Sequence, residues 1–179
     1  MEPKAVLVAF DALLVARHLR LEAVVIGGAA LNLLGVVHRT TKDCDILHPA
    51  LPEAVVDAAK EFASLRRADG DVLDDNWLNN GPQSLAALLP EGWQERLVGV
   101  FEGEAIVLRS LGRLDLLRSK VFSLCDRALD LNDCVALAPT PEELREIEPW
   151  LSLQDANPDW PQHVRSVLED LGRRLGHVV

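Results

Sequence analysis

The sequence has 179 residues, 49% of them apolar, which is enough for one domain with its own core, or one domain with a helical extension. Its formal net charge of −10 argues against a protein that binds DNA or RNA through a broad phosphate-neutralising surface, although a small basic pocket for one nucleotide remains compatible with it. The apolar stretches are shorter than the ~18 residues of a membrane span and no signal-peptide pattern is present, so we expect a cytoplasmic protein that does not enter a membrane.

The first fifty residues predict alternating helices and strands. Lys4–His18 carries apolar residues at helical spacing. The β-branched run Glu22–Ile26 predicts a buried strand that ends at Gly27-Gly28, and a short helix follows over residues 29–34. Asp43–Leu47 predicts the second strand, because prolines follow it closely.

The middle of the chain is less regular. Residues 53–65 predict a helix, and residues 66–82 predict a loop rich in Asp and Asn. Trp77 in that loop either packs on the core or stacks on a base. Residues 98–108 predict a further strand or one arm of a hairpin.

The C-terminal part predicts helices from Gly112 onward, in three pieces separated by Pro139-Thr-Pro141 and by residues 157–161. The fold class is therefore α/β (α+β), with a small mixed sheet within residues 1–110. We expect the helical residues 111–179 to pack on that core as part of one compact unit. The three irregularly spaced cysteines are expected to be buried and free.

Asp43 and Asp45 are the candidate metal ligands. Residues two apart on a strand point to the same face, so both carboxylates project together while Cys44 points to the other face. Two adjacent negative charges favour a cation, and Mg²⁺ takes hard oxygen ligands while keeping waters and substrate phosphates. The alternative is an ordinary acidic pair at an exposed strand end.

Gly27-Gly28 is the candidate phosphate-binding turn. Glycines between a strand and a helix allow backbone N–H groups to approach a phosphate closely. The alternative is a plain tight turn. The combination of this turn with an Asp-x-Asp on the next strand places phosphate donors and metal ligands on neighbouring elements.

Two segments carry a resemblance to a known family. Val25-Ile-Gly-Gly-Ala-Ala-Leu-Asn-Leu-Leu-Gly, followed by His38-Arg-Thr-Thr-Lys-Asp-Cys-Asp-Ile-Leu, resembles the signature of the DNA polymerase beta-type nucleotidyltransferase superfamily. Within it, the chain is most similar to small nucleotidyltransferases related to the abortive-infection type IV toxins. The stretches Arg113–Lys120, Cys125–Arg127 and Asp130–Asp133 resemble the lysine-bearing helix and downstream aspartate of that group.

The resemblance implies a role for each matching residue. Gly27 and Gly28 would hold a nucleoside triphosphate, and Asp43 and Asp45 would bind magnesium. Lys120 would contact phosphate. Asp133 would serve as base or further acid. Arg39 and Arg127 are further candidates for contacting the nucleotide, apart from the resemblance. One departure is that many members have Gly-Ser where this chain has Gly27-Gly28, so a hydroxyl contact to phosphate is missing.

Two points stay open from the sequence. A third carboxylate is either Glu104, by its position beside a strand, or Asp133, by the resemblance. Arg113, Lys120 and Arg127 recur every seven residues along one helix, and this basic stripe is either a phosphate-facing surface or a solvated face paired with nearby acids. Arg39 likewise either contacts phosphate or pairs with an acid.

The sequence therefore predicts a magnesium-dependent enzyme that transfers a nucleotidyl group from a nucleoside triphosphate to a hydroxyl of RNA, protein or a small molecule. The resemblance also implies a toxin–antitoxin component with a cognate antitoxin as partner protein. The alternative is a binding or regulatory protein that keeps the fold without catalysis.

Overall fold

The structure, a computed structural model, describes residues 2–177, which form seven α-helices, five strands and two short 3-10 helices. The helices are α1 (Pro3–Ala16), α2 (Gly27–Leu33), α3 (Glu53–Ala68), α4 (Arg113–Arg127), α5 (Leu131–Leu137), α6 (Pro141–Leu151) and α7 (Trp160–Arg174). The strands are β1 (Leu21–Ile26), β2 (Cys44–His48), β3 (Leu78–Asn79), β4 (Val98–Glu102) and β5 (Ile106–Ser110), and the 3-10 helices are Gln83–Ala87 and Trp93–Arg96.

The chain divides into two compact units. The first contains the chain up to Ala87 together with Gln94–Leu111, and so holds the whole sheet with α1, α2 and α3. The second contains Leu88–Trp93 together with the chain from Gly112 onward, and so holds α4 to α7. The segment Leu88–Trp93 therefore leaves the first unit between β3 and β4 and the chain then returns to it.

The sheet of the first unit has five strands in the order β3-β2-β1-β5-β4. Strand β1 pairs antiparallel with β2 and parallel with β5, while β3 is parallel to β2 and β4 antiparallel to β5. Both kinds of pairing occur, so the sheet is mixed, and the predicted α+β fold class is confirmed. The 98–108 region forms a hairpin of two strands, of which the second ends at Ser110.

Strand β1 ends where glycine allows the chain to turn. Leu21 and residues 23–26 are buried, and Gly27 then takes a left-handed φ of +72°. The two glycines form the first turn of α2 rather than a separate loop before it. Helix α2 ends before Gly35, whose φ of +74° is typical of a glycine that caps a helix C-terminus.

The core of the first unit includes three aromatic rings, those of Phe10, Phe62 and Trp77. The ring centroids of Phe10 and Trp77 lie 5.1 Å apart in an edge-to-face arrangement, and the Trp77 indole N–H donates to the carbonyl of Ala59 at 3.0 Å. Trp77 is fully buried. It packs on the core and does not stack on a base.

The predicted loop at residues 66–82 is shorter than expected and contains a strand. Helix α3 continues to Ala68, and β3 (Leu78–Asn79) pairs with the start of β2. The predicted strand Asp43–Leu47 is also shifted by one residue, because β2 begins at Cys44 and Asp43 immediately precedes it.

The second unit has four helices where three pieces were predicted. The additional break separates α4 from α5, where Ala128 and Asp130 both have positive φ values. Neither residue is glycine or proline, so composition gave no sign of this break. The start of α6 is a capping box, in which Thr140 and Glu143 each bond to the backbone N–H of the other.

All three cysteines are free and buried, as predicted. Burial raises the pKa of Cys125 and of Cys134 to about 12, and it raises the pKa of Cys44 as well. Within residues 2–177, none of the helices has the length and apolar character that crossing a membrane requires.

Candidate functional site

The end of β1 and the start of β2 meet because the two strands are antiparallel. Ile26, the last residue of β1, lies opposite Asp45 on β2. The residue after Ile26 is Gly27, so this register places Asp45 beside the first residue of α2. The sequence predicted both elements, and the pairing brings the predicted metal ligand and the predicted glycine turn together.

The carboxylate of Asp45 lies against Gly27. A Cβ built on Gly27 would stand 2.7 Å from Asp45 Oδ2, which is closer than real Cβ contacts allow. The φ of +72° at Gly27 is also a conformation that side chains disfavour. Glycine is therefore required at position 27 for two reasons, its backbone conformation and the carboxylate that fills the adjacent space.

Asn79 holds the other oxygen of the same carboxylate. Strand β3 pairs with β2 so that Asn79 lies opposite Asp45, and Asn79 Nδ2 donates to Asp45 Oδ1 at 3.2 Å. The sequence analysis missed Asn79. A two-residue strand shows no periodicity, and the only sequence signal was an apolar Trp77-Leu78 pair followed by an amide inside a polar segment.

Asp43 lies two residues before Asp45 and is partly exposed. Its backbone carbonyl accepts a hydrogen bond from Thr41 Oγ1 at 3.3 Å. Asp43 is the residue immediately before β2. The rule that alternate residues of a strand share a face, which paired Asp43 with Asp45, therefore applies only at the edge of the strand. The short separation along the chain nevertheless keeps the two acids at the same end of the sheet.

Gly28 is flanked by two side chains from the loop between α2 and β2. A Cβ on Gly28 would stand 3.0 Å from Thr41 Oγ1 and 3.9 Å from Arg39 Nη2. Asn32 on α2 anchors this loop, since its Nδ2 donates to the carbonyl of Arg39 at 3.0 Å. A hydroxyl and a guanidinium group thus adjoin the glycine turn; Arg39 was predicted at the site and Thr41 was not.

Glu104 lies at the opposite end of the sheet. Ile106, at the start of β5, pairs with Leu21 at the start of β1, whereas Asp45 adjoins the end of β1. Leu21 and Ile26 are five residue steps apart along β1, which is roughly 16 Å. The backbone N–H of Glu104 donates to Asp11 Oδ2 at 3.1 Å, so this residue belongs to the β4–β5 turn.

Lys120 and Asp133 form a buried ion pair within the second unit. Lys120 Nζ donates to Asp133 Oδ2 at 2.8 Å and to Asp130 Oδ2 at 3.1 Å. Only 5% of Lys120 and 2% of Asp133 is exposed. The predicted phosphate-binding lysine and the predicted base are therefore each other's partners in this structure.

The other two residues of the basic stripe also have acidic or polar partners in the second unit. Arg113 donates to both carboxylate oxygens of Glu143, at 2.5 and 2.9 Å. Arg127 Nη2 donates to Ser123 Oγ at 3.0 Å, and its Nε lies 3.5 Å from Asp126 Oδ2. This arrangement agrees with the alternative in which the stripe pairs with nearby acids.

Asp43 and Asp45 suit magnesium better than a cation that needs a full protein cage. No group of three or more His, Cys, Asp or Glu side chains able to hold a metal occurs among residues 2–177. Magnesium is commonly held by one or two carboxylates and completes its shell with waters and substrate phosphates.

Comparison with known proteins gave one match. A family model described as "Nucleotidyltransferase of unknown function (DUF6036)" matches residues 6–138, which include the sheet, α4 and α5. No curated protein and no solved structure matches the chain. The matched range contains Gly27, Asp43, Asp45, Lys120 and Asp133.

Proposed function

The chain belongs to this nucleotidyltransferase family, and from that premise we propose that it transfers a nucleotidyl group from a nucleoside triphosphate to a hydroxyl of an acceptor. In this proposal Asp43 and Asp45 hold Mg²⁺, and Gly27 and Gly28 adjoin the triphosphate. The observation that carries it is the contact between Asp45 Oδ2 and Gly27, because it joins the candidate metal ligand to the candidate phosphate turn.

The chain's own residues have separate tasks in this reaction. Asp43 and Asp45 supply hard carboxylate oxygens at the end of the sheet. Bound there, magnesium would neutralise phosphate charge and help align the attacking and leaving oxygens. Asn79 fixes the orientation of Asp45 through its hydrogen bond to Oδ1.

The surroundings of Gly28 supply groups that favour a phosphate. The guanidinium of Arg39 is a forked donor that suits phosphate oxygens. The Thr41 hydroxyl stands 3.0 Å from the Cβ position of Gly28. A hydroxyl is thus present beside this turn even though position 28 lacks a serine.

The roles expected for residues of the second unit belong to the proposal as well. Lys120 and Arg127 would contact the nucleotide, and Asp133 would act as a base. The ion pairs that Lys120 forms with Asp133 and Asp130 favour a structural role for these side chains. The stability of Lys120 variants distinguishes the two roles, as described in the Discussion.

Thermal unfolding with and without ligand tests for the site. Mg²⁺ with a mixture of nucleoside triphosphates should raise the Tm of the wild type and leave that of Asp45→Asn unchanged. Asp57→Asn is the matched control, because Asp57 is an exposed acid on α3 and should keep the full shift. Equal shifts in all three proteins would show that the ligands do not bind at Asp45.

Turnover is tested by incorporation of labelled nucleotide into total RNA, into protein and into the chain itself. Incorporation that requires Asp43 and Asp45 would establish transfer and identify the class of acceptor. Growth arrest on expression that also requires both aspartates would support the toxin-like role, and relief by one co-expressed protein would identify an antitoxin.

A second candidate is a nucleotide-binding regulatory protein without catalysis. The observation that favours it is the amide of Asn79 opposite Asp45, where an acid would have added a third carboxylate to the site. Ligand-dependent stabilisation without incorporation into any acceptor would support this candidate over the enzyme.

A further inference from the structure

We propose that Asn80 is a positioning residue of the proposed metal site, because its side chain fixes the backbone of β2 directly after Asp45. The inference rests on the proposed function, since it assumes that Asp45 binds a divalent cation. Asn80 contacts neither the cation nor the substrate in this proposal. It acts through the backbone of Ile46, the residue that follows Asp45 along β2.

The hydrogen-bond ladder of β2 becomes irregular at Ile46 on both sides of the strand. On one side, β3 ends at Asn79, which lies opposite Asp45, so the pairing with β3 stops one residue before Ile46. On the other side, the register with β1 shifts directly after the pair of Val25 with Ile46, and Leu47 has no opposite residue on β1. A register shift of this kind bends a strand and disrupts its ladder locally.

The side chain of Asn80 makes three hydrogen bonds to the backbone where the ladder is irregular. Its Nδ2 donates to the carbonyl of Ile46 at 2.9 Å and to that of Pro49 at 3.1 Å, and its Oδ1 accepts from the N–H of Leu51 at 2.7 Å. A backbone N–H can only donate, so the amide oxygen must face Leu51 and the NH₂ group must face the two carbonyls. The side chain thus continues the contacts of β2 beyond the end of β3.

The two neighbouring asparagines hold Asp45 in different ways. Asn79 Nδ2 donates to the carboxylate of Asp45 at Oδ1, whereas Asn80 bonds to the backbone of the next residue, Ile46. Groups that orient a metal ligand without touching the metal typically change metal affinity by about 10- to 100-fold when they are replaced. We expect Asn80 to act in this way, through the path of the strand that carries Asp45.

Replacing Asn80 by alanine is the direct test. The full chain is titrated with Mn²⁺ well below the Tm of each variant, and the electron paramagnetic resonance signal of the free ion is followed. Asn80→Ala should bind Mn²⁺ about tenfold more weakly than the wild type, and Asp45→Asn should not bind it. If Asn80→Ala unfolds, the titration is repeated in trimethylamine N-oxide, which favours the folded state, with circular dichroism as the check.

Asp11→Ala is the matched control for a general loss of stability. The Asp11 carboxylate also makes three hydrogen bonds to the backbone, from the N–H groups of residues 104, 105 and 106 at 3.1, 2.9 and 2.7 Å. Those residues lie at the opposite end of the sheet from Asp45. Asp11→Ala should therefore lower the Tm and leave the Mn²⁺ affinity unchanged. An equal loss of affinity in Asp11→Ala and Asn80→Ala would overturn the role of Asn80.

A double variant tests whether Asn80 acts through Asp45. Asn79→Ala alone should also weaken Mn²⁺ binding about tenfold, because the carboxylate of Asp45 loses its donor. Asn79→Ala combined with Asn80→Ala should lose less than the product of the two single losses, since both side chains position the same residue. Losses that multiply fully would show that Asn80 acts independently of that carboxylate, and would overturn the inference.

The outcomes separate this inference from the function on which it rests. Wild-type Mn²⁺ affinity in Asn80→Ala, with no binding to Asp45→Asn, would overturn the role of Asn80 and leave the proposed function intact. No bound ion on the wild type, either with Mn²⁺ alone or with Mn²⁺ and a non-hydrolysable nucleoside triphosphate analogue, would overturn both.

Discussion

Asp45 Oδ2 stands 2.7 Å from the point where a side chain on Gly27 would begin, so the carboxylate and the glycine share one small space at the end of β1. Gly35, at the other end of α2, has nearly the same left-handed φ but nothing within 4 Å of its Cβ position. The two glycines therefore have the same backbone requirement and differ only in the neighbouring carboxylate.

This pair leads to a prediction for Gly27→Ala. A left-handed backbone costs a non-glycine residue roughly 1–2 kcal/mol, so Gly35→Ala should lower the free energy of unfolding by about that amount. Gly27→Ala should lose more and should also lose Mn²⁺ binding, because the new methyl group displaces Asp45. Urea unfolding and Mn²⁺ titration of both variants measure this. Equal losses with unchanged Mn²⁺ affinity would show that the contact has no role in metal binding.

Asp45→Asn should abolish function without unfolding the protein. Asparagine has nearly the same shape as aspartate and keeps Oδ1 as an acceptor for Asn79, while the repulsion between Asp45 and Asp43 is relieved. We expect the free energy of unfolding to stay within about 1 kcal/mol of the wild type. Nucleotide incorporation should fall by at least about a hundredfold. A variant that unfolds would contradict this prediction.

Lys120→Met should destabilise the second unit strongly. Removing one member of a buried ion pair leaves the other charge uncompensated, which costs about 3–5 kcal/mol. Asp133, which is 2% exposed, would lose the ammonium group that lies 2.8 Å from its Oδ2. Differential scanning calorimetry or urea unfolding measures the loss.

Lys60→Met is the control for Lys120→Met, since Lys60 is exposed on α3 and should change stability little. The double variant Lys120→Met with Asp133→Leu should recover part of the loss, because it removes both buried charges. A stable Lys120→Met protein that binds triphosphate poorly would instead support the phosphate-contact role.

Glu143 should add to the free energy of unfolding at neutral pH, and this contribution should disappear at acidic pH. The hydrogen bond from Arg113 is the main reason why the pKa of Glu143 is lowered in the folded chain, and the N–H of Thr140 lowers it further. A lowered pKa stabilises the fold above the ordinary glutamate pKa, and this stabilisation is lost as the pH falls through the folded value.

The test compares wild type, Glu143→Gln and the exposed control Glu146→Gln by urea unfolding between pH 3 and pH 7. Glu143→Gln should be less stable than the wild type at pH 7, and the two should converge at the acidic end. Glu146→Gln should follow the wild-type curve. A constant difference between wild type and Glu143→Gln at all pH values would show that the ion pair is not the cause.

The sequence predicted the parts of this fold that depend on neighbouring residues. A β-branched run before two glycines identified β1 and its turn. The two-residue spacing of Asp43 and Asp45 predicted that both aspartates lie together at β2. Asn79 was not predicted, because it reaches Asp45 through the pairing of a two-residue strand with residues more than thirty positions earlier. A contact of that kind leaves no local pattern.

The basic stripe shows the same limit on helices. A spacing of seven residues correctly indicates that Arg113, Lys120 and Arg127 recur along one helix, but not which acids approach them. Asp130 and Asp133 reach Lys120 because the backbone turns through left-handed conformations at residues 128 and 130, between α4 and α5. Those conformations occur at an alanine and an aspartate, so no glycine marks the turn in the sequence.

Because Leu88–Trp93 belongs to the second unit, the two units cannot be separated by a single cut in the chain. The chain passes between the units at three places, and the indole of Trp150 donates to the carbonyl of Leu88 at 2.9 Å. A protease that cuts only between Leu111 and Gly112 would therefore leave Leu88–Trp93, a segment of the helical unit, in the N-terminal fragment. Neither half can be released intact as one continuous polypeptide, and a gene shortened at codon 111 would encode Leu88–Trp93 without the rest of the unit to which that segment belongs.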